Sequence, residues 1–145
     1  MNANLPYALN LISEIINELA PGRAALTTKH QRDGELFVEV VPTNPKAAKM
    51  AVRGGGDLQY DVYVGEGTLY ELPGTETASP TDQLRELSRA VFAGKFEETI
   101  WKVGDAVAKT VGYIQLGDHA GKTRQIHGFY PLRFKKKTHI KYEPY

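Results

Sequence analysis

From residue 57 the chain alternates with a period of two. Leu58, Tyr60, Val62 and Val64 fall on one side, and Asp57, Gln59, Asp61 and Tyr63 on the other. Successive side chains of a strand point to opposite faces, so this is a strand with one face in a core and one in water. Gly65-Glu66-Gly67 supplies a tight turn and the chain returns over 68–72. A turn that short joins antiparallel neighbours, and an antiparallel sheet with one apolar face needs a second layer to cover it.

Two amphipathic helices can supply that layer. Over residues 5–20, Leu5, Ala8, Leu9, Ile12, Ile15, Ile16 and Leu19 recur at three- and four-residue steps. Asn4 can cap the start, Pro6 sits in the first turn, and Pro21-Gly22 ends the helix. The second helix opens at Ser79-Pro80-Thr81-Asp82, with serine as cap and proline at the first helical position. Leu84, Leu87, Ala90 and Val91 form its stripe, and Gly94 suits the residue just past its end.

The remaining runs read as strands. Residues 24–30 and 35–41 flank an Asp33-Gly34 hairpin signal, and 49–53 is a further short run with 45–49 open to a helical turn. After the second helix come 96–103, 106–116, 122–134 and 138–142, separated by Gly104-Asp105 and by residues 117–121. Pro131 interrupts the third of these or sets it at an edge. The expectation is an α+β fold of one domain, residues 1–145. A curved, mainly antiparallel sheet of about seven to nine strands packs against two helices, in the order α-β(4–5)-α-β(3–4).

At 145 residues the chain suits one self-sufficient core. It has no cysteine, which excludes disulfides, thiolate metal sites and cysteine nucleophiles. Its first twenty residues lack a basic start and are broken by Asn10, Ser13, Glu14, Asn17 and Glu18, unlike a signal peptide or a membrane span. A cytoplasmic protein without a membrane partner is the simplest expectation.

Charge is strongly polarised. Residues 122–145 hold Lys122, Arg124, Arg133, Lys135, Lys136, Lys137 and Lys141 against Glu143 alone, a formal +6; residues 1–121 sum to −5. A near-neutral total therefore conceals a field that can orient an encounter.

Individual residues give weaker signals. Gly54-Gly55-Gly56 lacks the Gly-Lys-Ser/Thr ending of a phosphate loop, and Asp57 follows it, so a turn is the better reading. The four histidines show no helical metal-ligand spacing. Asp118 and His119 near a turn tip, with His127 further along the returning strand, would suit acid–base work, although turns collect Asp and Gly for conformational reasons. Glu97 and Glu98 point to opposite faces, so one of them is a candidate for the packed side, where burial would raise its pKa; the alternative is a strand start exposed on both sides. Glu97, Thr99, Trp101 and Val103 share one face, a candidate pocket wall, with Trp101 read chiefly as core. Tyr63, on the acidic side of its strand, is a candidate contact for a basic partner.

Three function classes follow. The first is a non-enzymatic protein that binds another protein through a charge-polarised surface, with Arg133, Lys135, Lys136, Lys137, Lys141 and Tyr63 as contacts. The second binds nucleic acid through the same basic residues and Phe134, cations tracking phosphates and rings stacking on bases. The third is a small-ligand protein or enzyme with Glu97, Trp101, Asp118, His119 and His127 in a pocket between sheet and helices. No catalytic motif stands out, and no metal or cofactor is expected. Self-association through a sheet edge stays open.

Overall fold

The computed structural model describes residues 5–30, 36–54, 59–116, 119–126 and 136–145. Among these are two helices and nine strands, in the order one helix, five strands, one helix, four strands. The α+β class and the element order agree with the sequence reading. The strands, however, form two antiparallel sheets rather than one.

Helix α1 (Leu5–Leu19) buries Leu11, Ile12, Ile15 and Ile16, and exposes Asn10, Glu14, Asn17 and Glu18. Strands β1 (Ala24–His30), β2 (Leu36–Pro42), β3 (Met50–Gly54), β4 (Tyr60–Val64) and β5 (Thr68–Leu72) follow as a simple meander, each paired with the next. Their inner face carries Val38, Val40, Met50, Val52, Tyr60, Val62 and Val64, all at most 1% exposed. Burial of such apolar surface stabilises the fold by about 25 cal/mol per Å². The Asp33-Gly34 hairpin signal and Gly55-Gly56 lie outside the described residues.

Helix α2 (Pro80–Phe92) starts on a complete capping box. The Ser79 hydroxyl accepts from Asp82 N at 3.1 Å, and the Asp82 carboxylate accepts from Ser79 N at 3.1 Å. It ends as the sequence suggests. Gly94 takes φ +74°, Gly94 N donates to Val91 O at 3.1 Å and Lys95 N to Ala90 O at 2.9 Å, which is the left-handed glycine stop. Glu18 of α1 clamps both Arg85 and Arg89 of α2, at 3.0 and 3.1 Å.

Strands β6 (Phe96–Val103), β7 (Ala106–Leu116), β8 (His119–Ile126) and β9 (Lys136–Lys141) form the second sheet, ordered β8-β7-β6-β9. A separate sheet arises because the loop at 73–79 and α2 carry the chain away from β5 before pairing resumes. Helix α2 touches β4, β5 and β7 and so lies against both sheets. The inner face of the second sheet presents Phe96, Ile100, Thr110 and Ile114 to the core. Gly112 is needed there, because a Cβ would overlap the Thr68 methyl and stand 3.0 Å from Phe96 Cε2.

Two boundaries differ from the sequence reading. Leu116 pairs with His119, so His119 to Gly121 belong to β8 and not to a turn. Lys136 and Lys137 pair with Lys102 and Trp101, so they are strand and not loop. Beyond β9 the tail turns back into the molecule. Glu143 bridges Ala47, Tyr145 N donates to Phe92 O at 3.0 Å, and the Tyr145 hydroxyl donates to Ala48 O at 2.6 Å. The Tyr145 ring is buried 4.4 Å from Phe92, centroid to centroid.

Candidate functional site

Strand parity sorts the second sheet into two chemically different faces. Glu97, Thr99 and Trp101 of β6 share the outer face with Lys109, Val111 and Tyr113 of β7 and with Lys137, His139 and Lys141 of β9. The backbone register adds the positions of Lys122, opposite Tyr113, and Arg124, opposite Val111. Trp101 is half-buried between two cations. Lys109 Nζ stands 4.3 Å from its ring centroid and Lys137 Nζ 5.6 Å. Each such contact contributes about 0.5–1 kcal/mol at an exposed site. His139 Nδ1 shares a 2.8 Å hydrogen bond with Thr99 Oγ1, and its Nε2 is 3.8 Å from Glu97. Glu97 is the one carboxylate on this face among the described residues.

Lys137 and Lys141 therefore lie on one surface with Trp101, whereas Lys136 sits on the opposite parity of β9. Arg133, Phe134, Lys135, Asp118 and His127 lie outside the described residues. His119 has a backbone place at the start of β8. Glu97 and Trp101 stand on the outer face, away from the helices, and line neither described cleft. Reading Trp101 as core is corrected by its half-buried position between Lys109, itself half-buried, and the exposed Lys137. On this parity Thr99 and Val111 are buried at the centre of the sheet, while Glu97, Trp101 and Tyr113 around them keep partial exposure.

The inward partner of that pair is Glu98, whose carboxylate is fully buried. Glu66 N and the Tyr142 hydroxyl donate to its Oε1, each at 2.9 Å, and the Thr68 hydroxyl donates to Oε2 at 2.5 Å. A buried carboxylate without donors would cost several kcal/mol, so these bonds are what allow it there. They also join β6 to the β4–β5 turn and to the tail. Gly65, at φ +68°, permits the approach, since a Cβ would come 2.6 Å from Glu98 Oε1. Burial, reinforced by the adjacent Glu98 charge, pushes the Tyr142 hydroxyl well above its ordinary pKa; burial alone does the same for Tyr145. The Tyr142 ring stacks on Phe96 at 5.4 Å.

The sequence offered Glu97 and Glu98 alike as the inward carboxylate and set its candidate pocket on the Glu97 parity; the buried one is Glu98. The signal was present: Phe96, Glu98 and Ile100 share one parity, and two of the three are large and apolar. Glu98 lines neither described cleft, and its three hydrogen bonds lock elements together.

Open clefts of about 230 and 310 Å³ flank the Gly65-Glu66 turn and share Lys49. Tyr63 lines the larger one, on the outer face of the first sheet. It is half-buried, 6.1 Å from Phe37, and Arg53 caps the Phe37 ring at 5.8 Å. Arg53 also pairs with Asp61 at 2.6 Å, which cancels part of the acidity that the alternation implied.

Among the described residues no three His, Asp or Glu side chains cluster as a metal site. Nor is any described helix long and apolar enough to cross a membrane. No family model, curated protein or solved structure matches this chain.

Proposed function

We propose that this protein binds an acidic partner protein through the outer face of the second sheet. The observation that carries the reading is Trp101, half-exposed between Lys109 and Lys137 on a face whose described carboxylates number one. Such a face steers an anionic partner during diffusion and sets its orientation on arrival. The aromatic ring gives the contact an apolar centre of the kind that anchors interfaces. No step of bond-making is required of any residue there.

Single-stranded nucleic acid is the second reading, favoured by exposed rings on a sheet among cations. Two features make it the lesser one. Lys109 already occupies a face of the Trp101 ring, and the sequence pI of about 7.9 is below the roughly pH 9 typical of dedicated nucleic-acid domains.

Trp101 is the sole tryptophan, so its emission reports on this face directly. Titration with polyglutamate should change that emission, with affinity falling as salt rises. The double variant Lys137→Glu/Lys141→Glu should lose the response while keeping the fold, because both side chains are exposed. A response that ignores salt, or that survives the double reversal, removes the reading. Tighter, equally salt-dependent binding of a single-stranded oligonucleotide would move the assignment to nucleic acid.

A further inference from the structure

Strand β9 is the last strand of its sheet, and among the described residues it pairs with β6 alone. In an antiparallel ladder alternate residues turn their backbone groups toward the neighbour and the others turn away. Tyr142 N donates to Phe96 O, which fixes that parity. Thr138 and Ile140 therefore face β6, and Lys137, His139 and Lys141 direct their N–H and C=O groups to the open edge. The side chains of the same three residues stand on the outer face beside Trp101 and Glu97.

From this coincidence we infer that β9 is a strand-addition edge for an extended acidic segment of a partner protein. The inference rests on the reading of the basic face given above and specifies how that face is engaged. Main-chain bonds to Lys137, His139 and Lys141 supply attachment, and side chains at alternate positions supply selection. Residues directly opposite in such a pair have Cβ atoms about 4.5–5.5 Å apart. An added strand with acids at every second position thus sets carboxylates across from Lys137 and Lys141. Its intervening residues fall on the parity of Thr138 and Ile140, where β-branched side chains fit.

A second copy of this chain is a poor occupant of the same edge. Pairing β9 with β9 would bring lysines against lysines, which is destabilising. Lysine on an edge is a known block to self-pairing. The charge that excludes a copy is the charge that admits an acidic strand.

The test uses the full chain and two blocked peptides of alternating glutamate and threonine, each about eight residues long. One is unmodified. The other is N-methylated at the amides that would face β9, which keeps its charge and removes its donors. Trp101 emission gives the affinities, and amide hydrogen exchange is followed at Lys137, His139 and Lys141. Saturating unmodified peptide should slow exchange at these three amides by about tenfold or more. The methylated peptide should bind about tenfold more weakly.

Equal binding of the two peptides, with exchange at the three amides unchanged, overturns strand addition and leaves the charged-face reading standing. Absence of salt-dependent binding by either peptide and by polyglutamate overturns both. An oligonucleotide that binds more tightly than the peptide without slowing the three amides also overturns the inference.

Discussion

Replacing Tyr142 by phenylalanine removes one oxygen and leaves a ring able to keep its stacking on Phe96. What is lost is a donor to the Glu98 carboxylate at 2.9 Å. Glu98 Oε1 keeps the Glu66 N–H, and Oε2 keeps the Thr68 hydroxyl. A hydrogen bond to a charged group contributes about 1.5–3 kcal/mol, so Tyr142→Phe should cost about 2 kcal/mol. For a domain of this size that lowers Tm by about 4–8 °C. Tyr145→Phe is the matched control: its hydroxyl donates to a neutral carbonyl, Ala48 O, and such a bond is worth about 1 kcal/mol. The charge itself is tested in a Glu98→Gln background, where Tyr142→Phe should cost about 1 kcal/mol less than in the parent. Urea unfolding at neutral pH, followed by Trp101 emission and circular dichroism, measures all three differences. An equal cost in both backgrounds would refute the account of Glu98 as a charged acceptor, as would a cost for Tyr142→Phe no greater than for Tyr145→Phe.

The raised hydroxyls of Tyr142 and Tyr145 imply an alkaline limit. In the unfolded chain both ionise near their ordinary value of about 10, whereas in the folded chain both stay protonated above it, so the folded state binds more protons there. Their contribution is complete below about pH 10 and declines as pH rises further. The slope is up to about 1.4 kcal/mol per pH unit for Tyr145, and less for Tyr142, whose partial exposure lets solvent screen it. Urea midpoints between about pH 9 and 11 should fall less steeply when both residues are phenylalanine; an unchanged slope would show that neither hydroxyl is held protonated. A second comparison concerns two left-handed glycines. Gly22, at φ +71°, has open space around it, whereas Gly65, at φ +68°, abuts Glu98 and Tyr142. Gly22→Ala should cost about 1–2 kcal/mol, the conformational penalty alone. Gly65→Ala should cost about 1–3 kcal/mol more, because the new methyl displaces the carboxylate; equal losses in denaturation midpoints would contradict that.

Much of the framework was legible because local rules and tertiary packing agree in it. The alternation at 57–64 predicted which side chains of β4 are buried, and Ser79 and Gly94 bound α2 at the expected places. The α1 stripe was read by strict spacing and so omitted Leu11, which is buried because helix and sheet together cover more than one stripe. The division into two sheets was not legible, since it depends on where α2 sets the chain down and no local pattern records that. The final segment was the least legible. The sequence reading placed three consecutive lysines, 135–137, between strands, yet Lys136 and Lys137 belong to β9, an end strand exposed on both parities there. Tyr142 and Tyr145 gave no local signal of burial, because long-range contacts draw them toward Phe96 and Phe92.

The tail also sets a timetable. Tyr145 seals against Ala48, a residue 97 positions earlier in the chain. At translation rates of about 5–20 residues per second, the Ala48 carbonyl waits about 5–20 s for the hydroxyl that caps it. During that interval the hairpins of the first sheet can pair, but α2 and the loop before β3 lack their clasp. Newborn chains thus pass through a stage with an open seam, and the rate of synthesis governs how long that seam is presented to the cell.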